Sequence, residues 1–250
     1  MTNLIPKSHP RAKSLYVRER LVHAFDSGLV AKEGLMAHGR GEAFDYLMGE
    51  KTSKSAKNAI KAAAFALVTA EYPVISVNGN IAGLCPREIV ELAKAVNAKI
   101  EINLFYSSNK RKQSILRTMQ KNGAKEVLGI IKKNSRRISG LDSARRIVDK
   151  DGIYIADVVL VPLEDGDRTI ALKKAGKKVI TFDLNPLSRT SQTADITIVD
   201  NVVRGIGELT DTCTKMQGKK LRSVKFDNKK NLAESISEIR NYLEKRAKIA

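Results

Sequence analysis

The stretch from Asp157 to Arg204, "DVVLVPLEDGDRTIALKKAGKKVITFDLNPLSRTSQTADITIVDNVVR", decides the fold. "DVVLV" (157–161) is a short β-branched run, followed by polar residues and then by a segment that reads as a helix as far as Gly176. "KVITF" (178–182) and "DITIV" (195–199) are two more runs of strand length, and a helix is expected around 202–216. Strands that alternate with helices predict a mainly parallel sheet covered by helices on both faces, an α/β fold.

The same texture extends toward the N-terminus as far as Pro73. "VISV" (74–77) reads as a strand, a helix begins near Pro86, and "KIEINLF" (99–105) reads as a second strand with a basic helix after it to Gly123. "EVLGII" (126–131) is a further candidate strand, and 132–150 shows no clear pattern. Residues 1–72 read as helical. The first helix starts near Ser8-His9-Pro10 and stops at Gly28. "AHGRG" reads as a loop before a short helix, "EAFDYLMG". Thr52 or Ser53 caps a third helix that buries Ala56, Ile60, Ala63, Ala64 and Leu67. A last helix spans about 229–247. The expected organisation is an N-terminal helical segment (1–72) packed on an α/β domain (73–216), with a C-terminal helical tail (217–250), all in one compact unit.

Composition narrows the function classes. The 250 residues carry a formal charge of +18, but the excess is local: residues 110–150 hold +10 and residues 215–250 hold +7. These segments lack the interleaved aromatics of a single-strand stacking platform, so a solvated basic face is the reading in preference to a nucleic-acid partner. Such a field still draws in small anions. Cys85 and Cys213 are far apart, and His9, His23 and His38 do not cluster, so no zinc site or Ser/His/Asp signature can be assembled. No apolar run approaches the roughly 20 residues of a membrane span, and "MTNLIPKSHPRAK" has no signal-peptide core. The expectation is a cytoplasmic protein.

In open α/β sheets, ligands bind outside the carboxyl ends of the strands. The residues that follow each strand are therefore the candidates: Asn78-Gly79-Asn80, then Tyr106 to Asn109, "PLEDGDRT", "DLNPLSRT" and Asp200-Asn201. Each has a plainer reading as a turn or a helix cap, with Asp167 and Asn201 as caps. Their convergence on one edge predicts a single site rich in Asn, Asp and Arg. Glu164, Asp165 and Asp167 form an oxygen-rich cluster open to a magnesium reading. Neither G-x-x-x-x-G-K-[ST] nor G-x-G-x-x-G occurs, which disfavours P-loop and nicotinamide enzymes. A nucleotide would be held by strand-end Asp and Asn with arginines from elsewhere, Arg18 and Arg40 being candidates.

Five long motifs then occur in order: "SHPRAKSLYVRERLV", "GLMAHGRGEAFDYLMGEKT", "YPVISVNGN", "LVPLEDGDRT" and "DLNPLSRTSQTADITIVDNVVR". They closely resemble the archaeal phosphopantothenate synthetase family, the 4-phosphopantoate–β-alanine ligases, over about Ile5 to Asp227. The resemblance implies a Rossmann-like fold, a homodimer, and an ATP-dependent condensation of 4-phosphopantoate with β-alanine in coenzyme A biosynthesis, releasing AMP and pyrophosphate. It carries ATP contacts onto Arg18, Arg40, Asp183, Leu184, Asn185, Arg189, Thr190, Asn201 and Val202. For that chemistry the catalytic candidates are Arg40, Asp165 and Asp167, with magnesium expected near Asp165 and Asp167 and the acid or amine substrate near Asn78, Gly79 and Asn80. The alternative of another class is a basic nucleotide- or RNA-binding protein without catalysis.

Overall fold

The computed structural model describes residues 5–221 and 223–249. Residues 1–4, 222 and 250, which belong to the expected N-terminal segment and tail, lie outside the described residues. The helices are α1 (Ala12–Asp26), α2 (Lys32–Met48), α3 (Lys54–Val68), α4 (Gly79–Leu84), α5 (Pro86–Ala95), α6 (Asn109–Lys121), α7 (Gly166–Lys174), α8 (Arg189–Thr193), α9 (Val202–Met216) and α10 (Asn228–Ala247). The strands are β1 (Pro73–Val77), β2 (Lys99–Ile102), β3 (Ser135–Arg137), β4 (Ile147–Asp149), β5 (Val158–Leu160), β6 (Lys178–Phe182) and β7 (Ile196–Ile198).

Five strands form a parallel sheet in the order β2-β1-β5-β6-β7. Every residue of β1 and β5 is buried, as a strand covered on both faces requires. One row of side chains, Ile100, Ile75, Leu160, Ile180 and Ile196, runs across all five strands and faces a core shared with α3, α5 and α9. The neighbouring row, with Val74, Val159 and Val179, faces the opposite core, closed by Ala171 and Leu172 of α7 and by Ile138, Leu141 and Ile153. The chain goes outward from β1 to β2, then restarts at β5 beside β1 and grows the other way. The order therefore reverses between β1 and β5, and a crevice opens at their carboxyl ends.

Several local expectations need correction. "HGRG" is not a loop: α2 runs unbroken from Lys32 to Met48. Two of its glycines serve close approach, since a Cβ at Gly41 would touch the Leu184 side chain and one at Gly34 would run into Asn80, while Gly39 faces open space. "EVLGII" forms no regular strand; a single parallel bridge joins Leu128 to Glu101 at the β2 edge. The α7 cap is Asp165, whose carboxylate accepts from Arg168 N at 2.8 Å, and not Asp167. Residues 132–150 form an antiparallel hairpin, β3 with β4, beside the sheet. Of the two candidate caps for α3, Ser53 accepts from Ala56 N at 3.1 Å.

Candidate functional site

A cleft of about 420 Å³ lies where the crevice was expected, at the carboxyl ends of the parallel strands. It is lined by Asn78 to Asn80 after β1, Leu104 to Tyr106 after β2, Leu163 to Asp165 after β5, Leu184 after β6, and Asn201 and Val202 after β7. All five strand-end loops thus meet in one space. Helix α2 closes it from above through Gly34, His38, Arg40 and Glu42, and Arg111 and Arg145 enter from the β2 side.

The switch point itself is held by Asn78. Its amide donates to the carbonyls of Pro162 (3.2 Å) and Leu163 (3.1 Å), and its Oδ1 accepts from Ile81 N at 3.1 Å. Asn78 therefore ties the β1 loop to the β5 loop across the crevice. Asn80 ties α4 to the roof, its amide donating to Gly34 O at 2.9 Å. Gly79, between them, lets Leu29 O and the Arg111 guanidinium pass close to the backbone; a Cβ there would lie 2.8 Å from Arg111 Nη2.

The β6 and β7 side holds the remaining candidates. Asp183 Oδ1 accepts from Asn185 N at 2.9 Å and its second oxygen accepts from Ser188 Oγ, which fixes the loop that points Leu184 into the cleft. Burial pushes the Asp183 carboxyl above its ordinary value, opposed by those bonds. Asn185 Oδ1 accepts from Leu187 N, and Thr190 Oγ1 donates to Glu164 O at 3.0 Å, binding the β6 loop to the β5 loop. Arg189 is exposed and pairs with Asp167 at 2.5 Å on the rim. Asn201 caps α9 through Val203 N (3.1 Å) and donates to Asp45 of α2 at 3.0 Å. Arg204 bridges Asp45 and Asp200, and Thr52 donates to Asp200 at 2.7 Å. Asp200 and Arg204 thus brace the roof on the sheet and do not line the cleft.

Arg40 lines the cleft, while Arg18 reaches it only through Glu42, which it grips with Nε (3.0 Å) and Nη2 (2.9 Å). Burial would raise the Glu42 carboxyl, but hydrogen bonds from Ser14 and Arg18 and the charges of Arg18 and Arg11 hold it below its ordinary value. Burial lowers the His38 imidazole, with Glu42 opposing, so that this side chain is neutral at neutral pH.

The acids after β5 do not fit a protein-held magnesium. Asp165 is committed to the α7 cap, Asp167 to Arg189, and Glu164 to Arg168 and Arg145. No group of three His, Cys, Asp or Glu suited to a metal occurs among the described residues. Sequence reading missed five titratable lining residues: Glu33, His38, Glu42, Arg111 and Arg145. Arg111 had a positional signal, one turn into the helix that follows the β2 loop and its Ser108 cap. Arg145 had none.

An open doubly wound sheet with a cleft at its switch point defines a small-molecule-binding α/β protein. The chain belongs to the phosphopantothenate/pantothenate synthetase family, whose model matches residues 55–242. It is 51% identical to a 4-phosphopantoate–β-alanine ligase of Thermococcus onnurineus, over 97% of this chain and 95% of the relative. A protein of the same name in Thermococcus kodakarensis is 51% identical (96% and 93% covered), and one in Methanosarcina mazei is 48% identical (96% and 95%). No described helix is long and apolar enough to cross a membrane.

Proposed function

We propose that this protein is an ATP-dependent ligase that joins 4-phosphopantoate to β-alanine, giving 4′-phosphopantothenate, AMP and pyrophosphate for coenzyme A synthesis. The observation that carries the reading is the single cleft in which all five strand-end loops converge, in a chain half identical to ligases of that name. A homodimer in the cytoplasm is the working assembly and place.

A carboxylate does not acylate an amine at neutral pH without activation. In the proposed sequence an oxygen of the acid's carboxylate attacks the α-phosphorus of ATP, and the bond to the pyrophosphate oxygen breaks. The resulting acyl-adenylate is attacked at its carbonyl carbon by the β-alanine amine; the acyl–oxygen bond breaks and AMP leaves with that oxygen. Such chemistry needs positioning and charge stabilisation more than a nucleophilic side chain. Arg40 is the cation of the roof placed to face the α-phosphate. Leu184, Asn201 and Val202 form the nucleotide end of the cleft, and Asp183, Asn185, Arg189 and Thr190 shape the loop behind it. Arg18 positions the roof through Glu42. His38, neutral and in the cleft, accepts the proton that the amine must lose. Asn78, Gly79 and Asn80 set the floor for the acid.

The test is product formation by the purified protein. AMP and 4′-phosphopantothenate should appear only when ATP, 4-phosphopantoate and β-alanine are all present. Release of ADP instead of AMP sinks the adenylate route, and no turnover with any combination sinks the ligase reading.

A further inference from the structure

The basic segment 110–150 sends two arginines inward to the β2 end of the cleft, and their surroundings call for an anion. Arg145, in the short turn between β3 and β4, is only 8% exposed. Its guanidinium meets Glu164, lies 3.6 Å from Asp165, and sits 6.0 Å over the Phe105 ring. Arg111, from α6, donates to two neutral carbonyls, Tyr106 O and Leu29 O (3.0 Å). The Nε of each arginine is buried without a partner among the described residues.

The acids that touch Arg145 are shared with other partners. Glu164 is shared between Arg145 and the fully buried Arg168, and Asp165 commits an oxygen to the α7 cap. Burial lowers Arg145 to about 9; the charges of Arg168 and Arg111 act in the same direction and Asp165 opposes them. Burial lowers Arg111 as well, with Glu33 opposing. Two guanidinium groups that stay charged at neutral pH, face one cleft, repel each other and keep unused N–H donors form an incompletely satisfied arrangement. An anion between them supplies both charge and acceptors, and phosphate oxygens match guanidinium geometry best. Leu84, Leu104 and Phe105 line the cleft beside them and present an apolar wall.

We propose that Arg111 and Arg145 form the subsite for the phosphate monoester of the acid substrate, and so make the protein select the phosphorylated acid over the free hydroxy acid. This rests on the ligase reading above. It orients the acid: the phosphate lies at the β2 end, the branched aliphatic carbon lies on the apolar wall, and the carboxylate points toward Arg40 and the nucleotide end. Gly79 is part of the same device, because only a residue without a side chain leaves Arg111 its place.

Calorimetric affinities for 4-phosphopantoate and for pantoate test the assignment in the wild type, Arg111→Gln and Arg145→Gln. Each substitution should cut the preference for the phosphorylated acid by roughly 10- to 100-fold, the loss of one charge-assisted contact. If both acids weaken equally, or neither does, the arginines only brace the loops and the subsite is wrong. Should a glutamine variant fail to fold, wild-type turnover decides. With ATP saturating, inorganic phosphate should compete with 4-phosphopantoate but not slow the reaction of pantoate; equal inhibition of both acids overturns the proposal. Wild-type protein that forms no AMP with either acid removes the ligase reading and this subsite together. AMP formation with unchanged selectivity in both variants removes the subsite alone.

Discussion

His38 and Arg40 are two residues apart on α2 and both line the cleft, but His38 is half-buried and Arg40 is exposed. Burial pushes the His38 imidazole below its ordinary value and makes it a neutral base. Activity that depends on neutral His38 is present above its pKa and is lost as pH falls through a value below 6.5. His38→Gln should lower kcat by about 10²-fold and erase that acid limb of the pH–rate profile. An unchanged limb in the variant assigns it to another group. Arg40→Ala should raise the KM for ATP by roughly 10- to 100-fold with the fold retained, as the removal of a charged phosphate contact implies. A wild-type KM in that variant would move the nucleotide elsewhere.

At the scale of elements, two attachments give the cleft its shape. The roof helix α2 is fastened to β7 and α9 by Asp45, Arg204, Asp200, Thr52 and Asn201. Arg204→Met leaves two buried carboxylates without their cation and should cost about 3 kcal/mol in urea unfolding. A loss below about 1 kcal/mol would show the network to be of little weight. The β3–β4 hairpin, which carries Arg145, is fastened to β2 by Glu101, whose oxygens accept from Asp149 N (3.0 Å) and Ile153 N (2.7 Å). Burial raises this carboxyl from 4.5 to about 7, opposed by those two N–H groups. A raised folded-state pKa stabilises the fold fully below pH 4.5, and that stability is lost as pH rises through about 7. The expected fall is about 3 kcal/mol for this group, and Glu101→Gln should flatten the stability–pH curve in that window. A variant with the wild-type slope would show that Glu101 does not titrate there.

The sheet was legible from its residues because buried parallel strands are short apolar runs, and "KVITF" matches β6 residue for residue. The strand-end position of Asn78, Asp165, Leu184 and Asn201 was legible for the same reason. The unbroken α2 was not, because Gly39 and Gly41 read as a turn when the close approach of α2 to Leu184 is unknown. Arg111 and Arg145 were hidden within a basic stretch most of whose other members face solvent; charge counts do not distinguish an inward guanidinium from an outward one. The pairing of Glu101 with backbone N–H groups of residues some fifty positions away leaves no local signature.

For the whole molecule, the +18 charge acts on the two anions among the three proposed substrates, ATP and 4-phosphopantoate. Association at a cleft in a positive field is steered and screened by salt. The kcat/KM for 4-phosphopantoate should therefore fall several-fold between low and physiological ionic strength, while kcat changes little. A salt-independent kcat/KM would mean that the basic segments contribute nothing to capture. The most direct measurement follows one oxygen atom. With 4-phosphopantoate labelled with heavy oxygen in its carboxylate, mass spectrometry should find one labelled oxygen in AMP after turnover with ATP and β-alanine. Label in inorganic phosphate, with ADP as the nucleotide product, would rule out attack at the α-phosphorus and with it the proposed reaction in this cleft.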